Sequence, residues 1–180
     1  MRFGTRTIRY AFAILAIASA IPSLAETVQW PIRTTPRPMT TDGVPHIQIG
    51  IKPVPELTAE LLRRVDGLHG VEIRNTVISL PGAKGFWLVD DLSLARPDVI
   101  VGGREFAHVH PDGSLHASLS PDSARAAVEA GWAVFHPWSK RRPGWEGFVM
   151  IYTPSSADEL DVVFQLVQDS YRFVTGREVN

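Results

Sequence analysis

Two runs of alternating character, Arg104–His110 and Ser114–Leu119, flank the tripeptide Pro111-Asp112-Gly113. No other feature limits the fold so tightly. Proline followed by aspartate and glycine suits a type I turn closed by a glycine at positive φ, so the two runs read as strands of one antiparallel hairpin. On the first strand Ala107 and Val109 alternate against Phe106, His108 and His110; on the second, Leu115, Ala117 and Leu119 alternate against Ser114, His116 and Ser118. The apolar sets must share the core face. Only a three-residue loop achieves this, because a two-residue loop would shift the register and put the sets on opposite faces. The expected pairs are then His110 with Ser114, Val109 with Leu115, Ala107 with Ala117, and His108 with His116. His108, His110 and His116 all project from one side, with opposed Cβ atoms about 4.5 to 5.5 Å apart.

Three imidazoles on one face admit three readings. They could hold a divalent metal such as zinc at an open three-histidine site, and the same ligands suit copper, nickel or iron. They could act as metal-free acid and base groups, or be half-exposed polar residues on the solvent side of a hairpin. Arg104 has the same parity and is placed to hold an anionic group of a ligand. Glu105 has the opposite parity and is expected to point to the core unless a bulge intervenes. A second candidate is the segment Trp132–Phe148, read as a loop, in which Trp132, His136, Trp138 and Trp145 accompany Lys140, Arg141 and Arg142. Aromatic planes beside cations can clamp a flat or anionic small molecule, or the tryptophans can simply cover the open end of a sheet. No serine sits in a Gly-x-Ser-x-Gly elbow, and Gly102-Gly103 lacks the pattern of a phosphate loop. Asp90 and Asp91 read as a solvated loop.

Around the hairpin, the spacing of Leu57, Leu61, Leu62 and Val65 predicts a helix over Glu56–Asp66 stopped by Gly67. Val71–Leu80 and Lys84–Val89, rich in branched and aromatic residues, predict two strands joined at Pro81-Gly82, and Asp90–Pro97 a loop. Ser120 followed by Pro121 predicts the start of a second helix ending near Gly131. Phe148–Thr153 reads as a further strand. Ser156 with Glu159 predicts a capping box for a final helix striped by Leu160, Val163, Phe164, Val167, Tyr171 and Val174 and ended by Gly176. Helix, four strands, helix, strand and helix make an α+β fold: one mainly antiparallel sheet of about five strands with helices on one face. Residues 56–180 form this domain.

The preceding residues differ in kind. Arg2, Arg6 and Arg9 precede an apolar run from Tyr10 to Ile21, followed by small residues up to Ala25. This is the pattern of a secretory signal peptide over residues 1–25, and the run falls short of the roughly 20 residues a membrane span needs. The mature chain is expected to be periplasmic or secreted, without an integral membrane span. Residues 26–55 carry Pro31, Pro36, Pro38, Pro45, Pro53 and Pro55, each restricting itself and its predecessor to extended backbone. They read as an extended arm whose Ile47, Ile49 and Ile51 alternate with His46, Gln48 and Gly50, as in an edge strand. The absence of cysteine excludes disulfides and thiolate chemistry. Eighteen Lys and Arg against nineteen Asp and Glu leave no basic excess for nucleic acid, and 44% apolar content supports one globular domain rather than disorder or a coiled coil.

The run Glu105–His116 resembles the signature stretch of the bacterial and fungal luciferase-domain family. Ala130, Gly131 and Trp132, then His136, Pro137 and Trp138, then Val149–Tyr152, then Asp158, Glu159 and Leu160 continue the resemblance, which spans roughly Glu56 to Gly176. It implies a common small fold and the same hairpin, without assigning catalytic roles. Two function classes follow. One is an exported small-molecule-binding protein or enzyme using the histidine face; the other is a non-catalytic envelope module whose arm adds a strand to a partner or to a second copy.

Overall fold

The structure, a computed structural model, describes residues 28–179. The signal peptide expected over residues 1–25 lies outside these residues. Six antiparallel strands form the main sheet: β3 (Val71–Asn75), β4 (Lys84–Leu88), β5 (Glu105–Val109), β6 (Leu115–Ser118), β7 (Ala133–Phe135) and β8 (Phe148–Ile151). Their spatial order is β3-β4-β5-β6-β8-β7. Helices α1 (Pro55–Asp66), α2 (Pro121–Glu129) and α3 (Ala157–Thr175) complete a single α+β domain. Two short strands in the arm, β1 (Met39–Thr40) and β2 (Gln48–Ile49), form a separate ribbon.

Alternation along the central strands gives the sheet two faces of different chemistry. Phe86, Leu88, Ala107, Val109, Leu115, Ala117, Val149 and Ile151 meet the buried stripe of α3, including Leu160, Val163, Val167 and Val174, and Leu61 and Val65 of α1. The helix caps follow the sequence. Ser120 Oγ accepts from the Ser123 amide at 3.2 Å, Ser156 Oγ from the Glu159 amide at 3.2 Å, and Gly176 ends α3 at φ 71°. Gly67, by contrast, keeps a right-handed backbone at φ −78°, and the reversal into β3 is made by Gly70 at φ 70°.

Four local features depart from the sequence reading. The strand expected over Val71–Leu80 ends at Asn75, because Thr76 and the Val77 amide turn to bond the Glu105 carboxylate at 2.7 and 3.0 Å. The expected Trp132–Phe148 loop contains β7, whose three residues are too few to show a period. The arm does not extend the main sheet; β1 and β2 pair with each other, Met39 opposite Ile49 and Thr40 opposite Gln48. Its polar residues are the buried ones: His46 and Gln48 face inward, whereas Ile49 is exposed.

The fourth departure shapes the site. Between β4 and β5, Phe86 pairs with Ala107 but Trp87 pairs with Glu105, so Phe106 is an extra residue. This bulge reverses the parity of everything before it. Phe106 enters the helix-side core beside Phe86 and Tyr171, each at a centroid distance of 6.1 Å. Glu105 is delivered to the face that carries the histidines. Gly85, opposite His108, leaves the room: a Cβ there would lie 2.6 Å from Trp87 Nε1 and 2.8 Å from Glu105 Cδ.

Candidate functional site

The hairpin register is the one the three-residue loop dictates: Ala107 with Ala117, His108 with His116, and Val109 with Leu115. The His110 amide bonds Ser114 O at 2.8 Å and the Gly113 amide bonds His110 O at 2.9 Å, closing the turn. His108, His110 and His116 therefore share one face, and their ring nitrogens come within 4.8 Å of one another. They are not half-exposed; all three are buried. The face is covered by His46 and its neighbours from the arm, by Ile78, Ser79 and Leu80 from the segment that leaves β3, and by His136 and Trp138 beyond β7. Together these enclose a cavity of about 350 Å³ whose wall is otherwise largely apolar, with Val101 and Phe148 contributing.

Hydrogen bonding fixes where the lone pairs point. Glu105 Oε1 lies 2.9 Å from His108 Nδ1. A carboxylate already taking Thr76 Oγ1 and the Val77 amide accepts here, so His108 carries its proton on Nδ1 and its lone pair on Nε2. The Ser114 hydroxyl donates to Asp112 Oδ1 at 2.7 Å, hence Ser114 Oγ accepts from His110 Nδ1 at 3.0 Å and the His110 lone pair is also on Nε2. The order Asp–Ser–His puts the imidazole at the end of this chain, and Ser114 gives its proton to the carboxylate, unlike the serine of a nucleophilic triad. His108 Nε2 faces His116 Nδ1 at 3.1 Å, and His116 Nε2 faces His46 Nδ1 at 3.2 Å. Two lone pairs that close repel, so each contact must hold a shared proton or a cation.

Burial favours the neutral form of His46, His110, His116 and His136. It lowers the pKa of His46 to about 4. It lowers His110 to about 4, with the neighbouring His108 adding to the effect. His136 falls to about 3, by burial first and then by His46, His108 and Arg141. His116 is held well below its ordinary value, again by burial and then by the surrounding imidazoles. Neutral imidazole is the form that ligates metals and accepts protons.

Two three-histidine groups are close enough to hold an ion: His108, His110 and His116, or His46, His116 and His136. The donor chemistry favours the first. His136 Nδ1 accepts the Trp138 amide at 3.0 Å, which uses the only lone pair of the neutral ring. In the first group, Glu105 and the Ser114–Asp112 pair support the Nδ1 protons of two ligands, as acceptors behind metal-bound imidazoles commonly do.

The remaining sequence candidates are dispersed. Arg104 turns away from the histidines: its Nε donates to Leu88 O at 3.0 Å and its Nη2 to Leu92 O, pinning the loop after β4. The bulge that reverses Glu105 also reverses Arg104. Trp132 is buried in the core and donates through Nε1 to Pro31 O in the arm, so it holds the arm rather than a ligand. Trp145 stacks behind Trp138 at 6.1 Å, with Arg142 over it at 4.0 Å. Trp138 and His136 line the cavity. The reading missed His46 and Glu105. Glu105 could have been found only by anticipating the bulge, whereas His46 left no signal beyond sharing strand parity with Gln48.

The three-histidine face, backed by Glu105 and by the Ser114–Asp112 pair, lies in the part of the chain for which the sequence comparisons find relatives. Residues 103–170, which run from the bulge to α3, match the family described as Luciferase domain. Over these residues the chain resembles the luciferase-domain family. Similar curated proteins are the luciferases of Armillaria gallica and Armillaria mellea. Each is 28% identical over 186 aligned positions covering 90% of this chain and 68% of the relative. The luciferase of Armillaria ostoyae is similar to the same extent. No solved structure matches the chain.

Proposed function

We propose that the chain is an exported enzyme that binds a small organic molecule in the histidine cavity, beside a divalent metal ion such as zinc held by His108 Nε2, His110 Nε2 and His116 Nδ1. One observation carries this reading. Two of the three imidazoles have their Nδ1 protons tied to Glu105 and to Ser114, which leaves lone pairs available on the face that lines the cavity. Three protein ligands leave a position open, where an ion polarises a bound oxygen or activates water. The name shared by the relatives favours oxidation of the bound molecule over its hydrolysis. Export rests on the N-terminal pattern of arginines, apolar run and small residues ending at Ala25.

The metal content of protein purified from the periplasm and dialysed against micromolar zinc tests the proposal. One ion per chain is expected, lost when His108 and His116 are both replaced by Ala while the circular dichroism spectrum is kept. A folded wild-type protein without a stoichiometric ion would contradict it.

A second reading is favoured by the continuous contacts Glu105–His108–His116–His46 at 2.9, 3.1 and 3.2 Å. With a proton in each contact, this chain conducts protons between the cavity wall and the buried carboxylate, and the enzyme works by acid–base chemistry without a metal. The metal content separates the two.

A further inference from the structure

His136 is the one cavity imidazole whose tautomer is set by the backbone. A ring nitrogen facing a hydroxyl, a carboxylate or another imidazole can exchange roles with it. An amide N–H cannot, since it only donates. The Trp138 amide lies 3.0 Å from His136 Nδ1. The neutral ring must then carry its proton on Nε2 whatever else occupies the site. The local chain holds this arrangement: the His136 amide bonds Phe148 O at 3.0 Å and the Ser139 amide bonds His136 O at 2.9 Å, so Pro137 sits in a tight turn that aims the Trp138 amide back at the ring. The ring packs against Phe148 at 4.3 Å and stands edge-on to His116 at 4.6 Å and His46 at 5.0 Å. It is buried yet lines the cavity, and none of the side-chain hydrogen bonds among the described residues uses Nε2.

The cavity thus has two unlike walls. His108 and His110 offer lone pairs, suited to a cation or a proton; His136 offers a fixed, uncharged N–H. We propose that His136 is a positioning residue whose Nε2–H holds a carbonyl or anionic oxygen of the bound molecule, orienting it against the His108–His110–His116 wall. This rests on the cavity being the ligand site, as read above, but not on a metal being present. An N–H that faces the cavity without a protein partner is satisfied by an acceptor on the ligand, and a ligand that lacks one and displaces solvent leaves the donor unpaired.

The test uses metal-free, full-length mature protein. Long-range proton–nitrogen NMR at pH 7 is expected to show His136 protonated at Nε2; a proton on Nδ1 would overturn the inference. Binding is then followed with two probes, 4-nitrophenolate and chlorobenzene, in wild type, His136→Phe and His136→Gln. The phenolate is expected to bind His136→Phe roughly tenfold or more weakly, the effect of one lost hydrogen bond to a charged group. The amide of His136→Gln should restore most of that loss, and chlorobenzene binding should be alike in all three. Equal losses for both probes, or no loss for either, would overturn the role. Binding of neither probe to wild type would overturn it together with the cavity reading. A missing stoichiometric ion counts against the metal alone and leaves these readouts in force.

Discussion

Glu105 ties the extra residue of one strand to the chemistry of the opposite face. Its carboxylate is fully buried and takes three donors, from Thr76, Val77 and His108. Replacing it with Gln keeps the shape but weakens the acceptor behind His108. Zinc affinity should fall about 10- to 100-fold in a competitive chelator titration, and the melting temperature should fall too, because the buried amide NH2 meets groups that donate to the carboxylate. Unchanged affinity would separate Glu105 from the metal. Gly85 makes the same point by sterics. A Cβ at 2.6 Å from Trp87 and 2.8 Å from Glu105 has no room, so Gly85→Ala should cost about 1 to 3 kcal/mol in urea unfolding and loosen His108 as well. The histidines also set the response to acid. His46, His110 and His136 titrate in the folded state at about 4, 4 and 3, below the ordinary 6.5. Between these values and 6.5 the unfolded chain binds protons that the folded chain does not. The stabilisation is complete above pH 6.5 and drains as pH falls, by about 1 kcal/mol per group per pH unit. The urea midpoint of metal-free protein should be clearly lower at pH 5.0 than at pH 7.5; an equal or higher midpoint contradicts this. The sharing of one face by His108, His110 and His116 was legible in the sequence because parity is a strict period. Glu105 and Arg104 were misread because one inserted residue inverts that period and leaves no mark in composition.

At the scale of elements, the segments that cover the site are those the sequence described least well. Thr76–Leu80 looks like strand because its residues are branched, but the hydrogen bonds of Thr76 and Val77 to Glu105 draw it over the cavity instead. The arm reads as an edge strand from its alternation, which leaves open the face turned inward; polar anchors decide it, as Gln48 Nε2 donates to Thr153 Oγ1 at 2.6 Å and His46 meets His116. Long-range pairings of this sort cannot be read from local alternation. The arm is latched by Arg33, whose guanidinium bonds Glu159 at 3.1 Å and Thr153 O at 3.0 Å between the rings of Trp132 and Tyr152. The ion pair is buried, with side-chain exposures of 4% and 9%, but Glu159 keeps Thr35 and Ser155 as donors, so Arg33→Ala should cost about 1.5 to 3 kcal/mol, the worth of a hydrogen bond to a charged group. Hydrogen exchange should show the arm amides, including those of Thr41 and Ile47, exposed before the β5–β6 amides. Uniform loss of protection across the chain would instead make the arm part of one cooperative unit.

The whole molecule is a sheet with a packed face and a chemical face, and the two were unequally legible. Helices α1, α2 and α3 were readable from spacing and caps because an amphipathic helix carries its whole pattern in a short window. The helix-side core behaves accordingly: Leu166, fully buried on α3, should cost about 2 to 5 kcal/mol when replaced by Ala. The opposite face is closed by segments 44–46, 78–80 and 136–138, which meet only in the folded chain. The hairpin showed where the histidines are but not that a cavity stands over them. No helix among the described residues is long and apolar enough to cross a membrane. The central claim is that three imidazoles on this face form one metal centre, and X-ray absorption at the zinc edge of the loaded protein tests it most directly. Three imidazole nitrogens at about 2.0 to 2.1 Å are expected, falling to one when His108 and His116 are replaced together. An oxygen-dominated shell, or a shell unaltered by that double replacement, would contradict it.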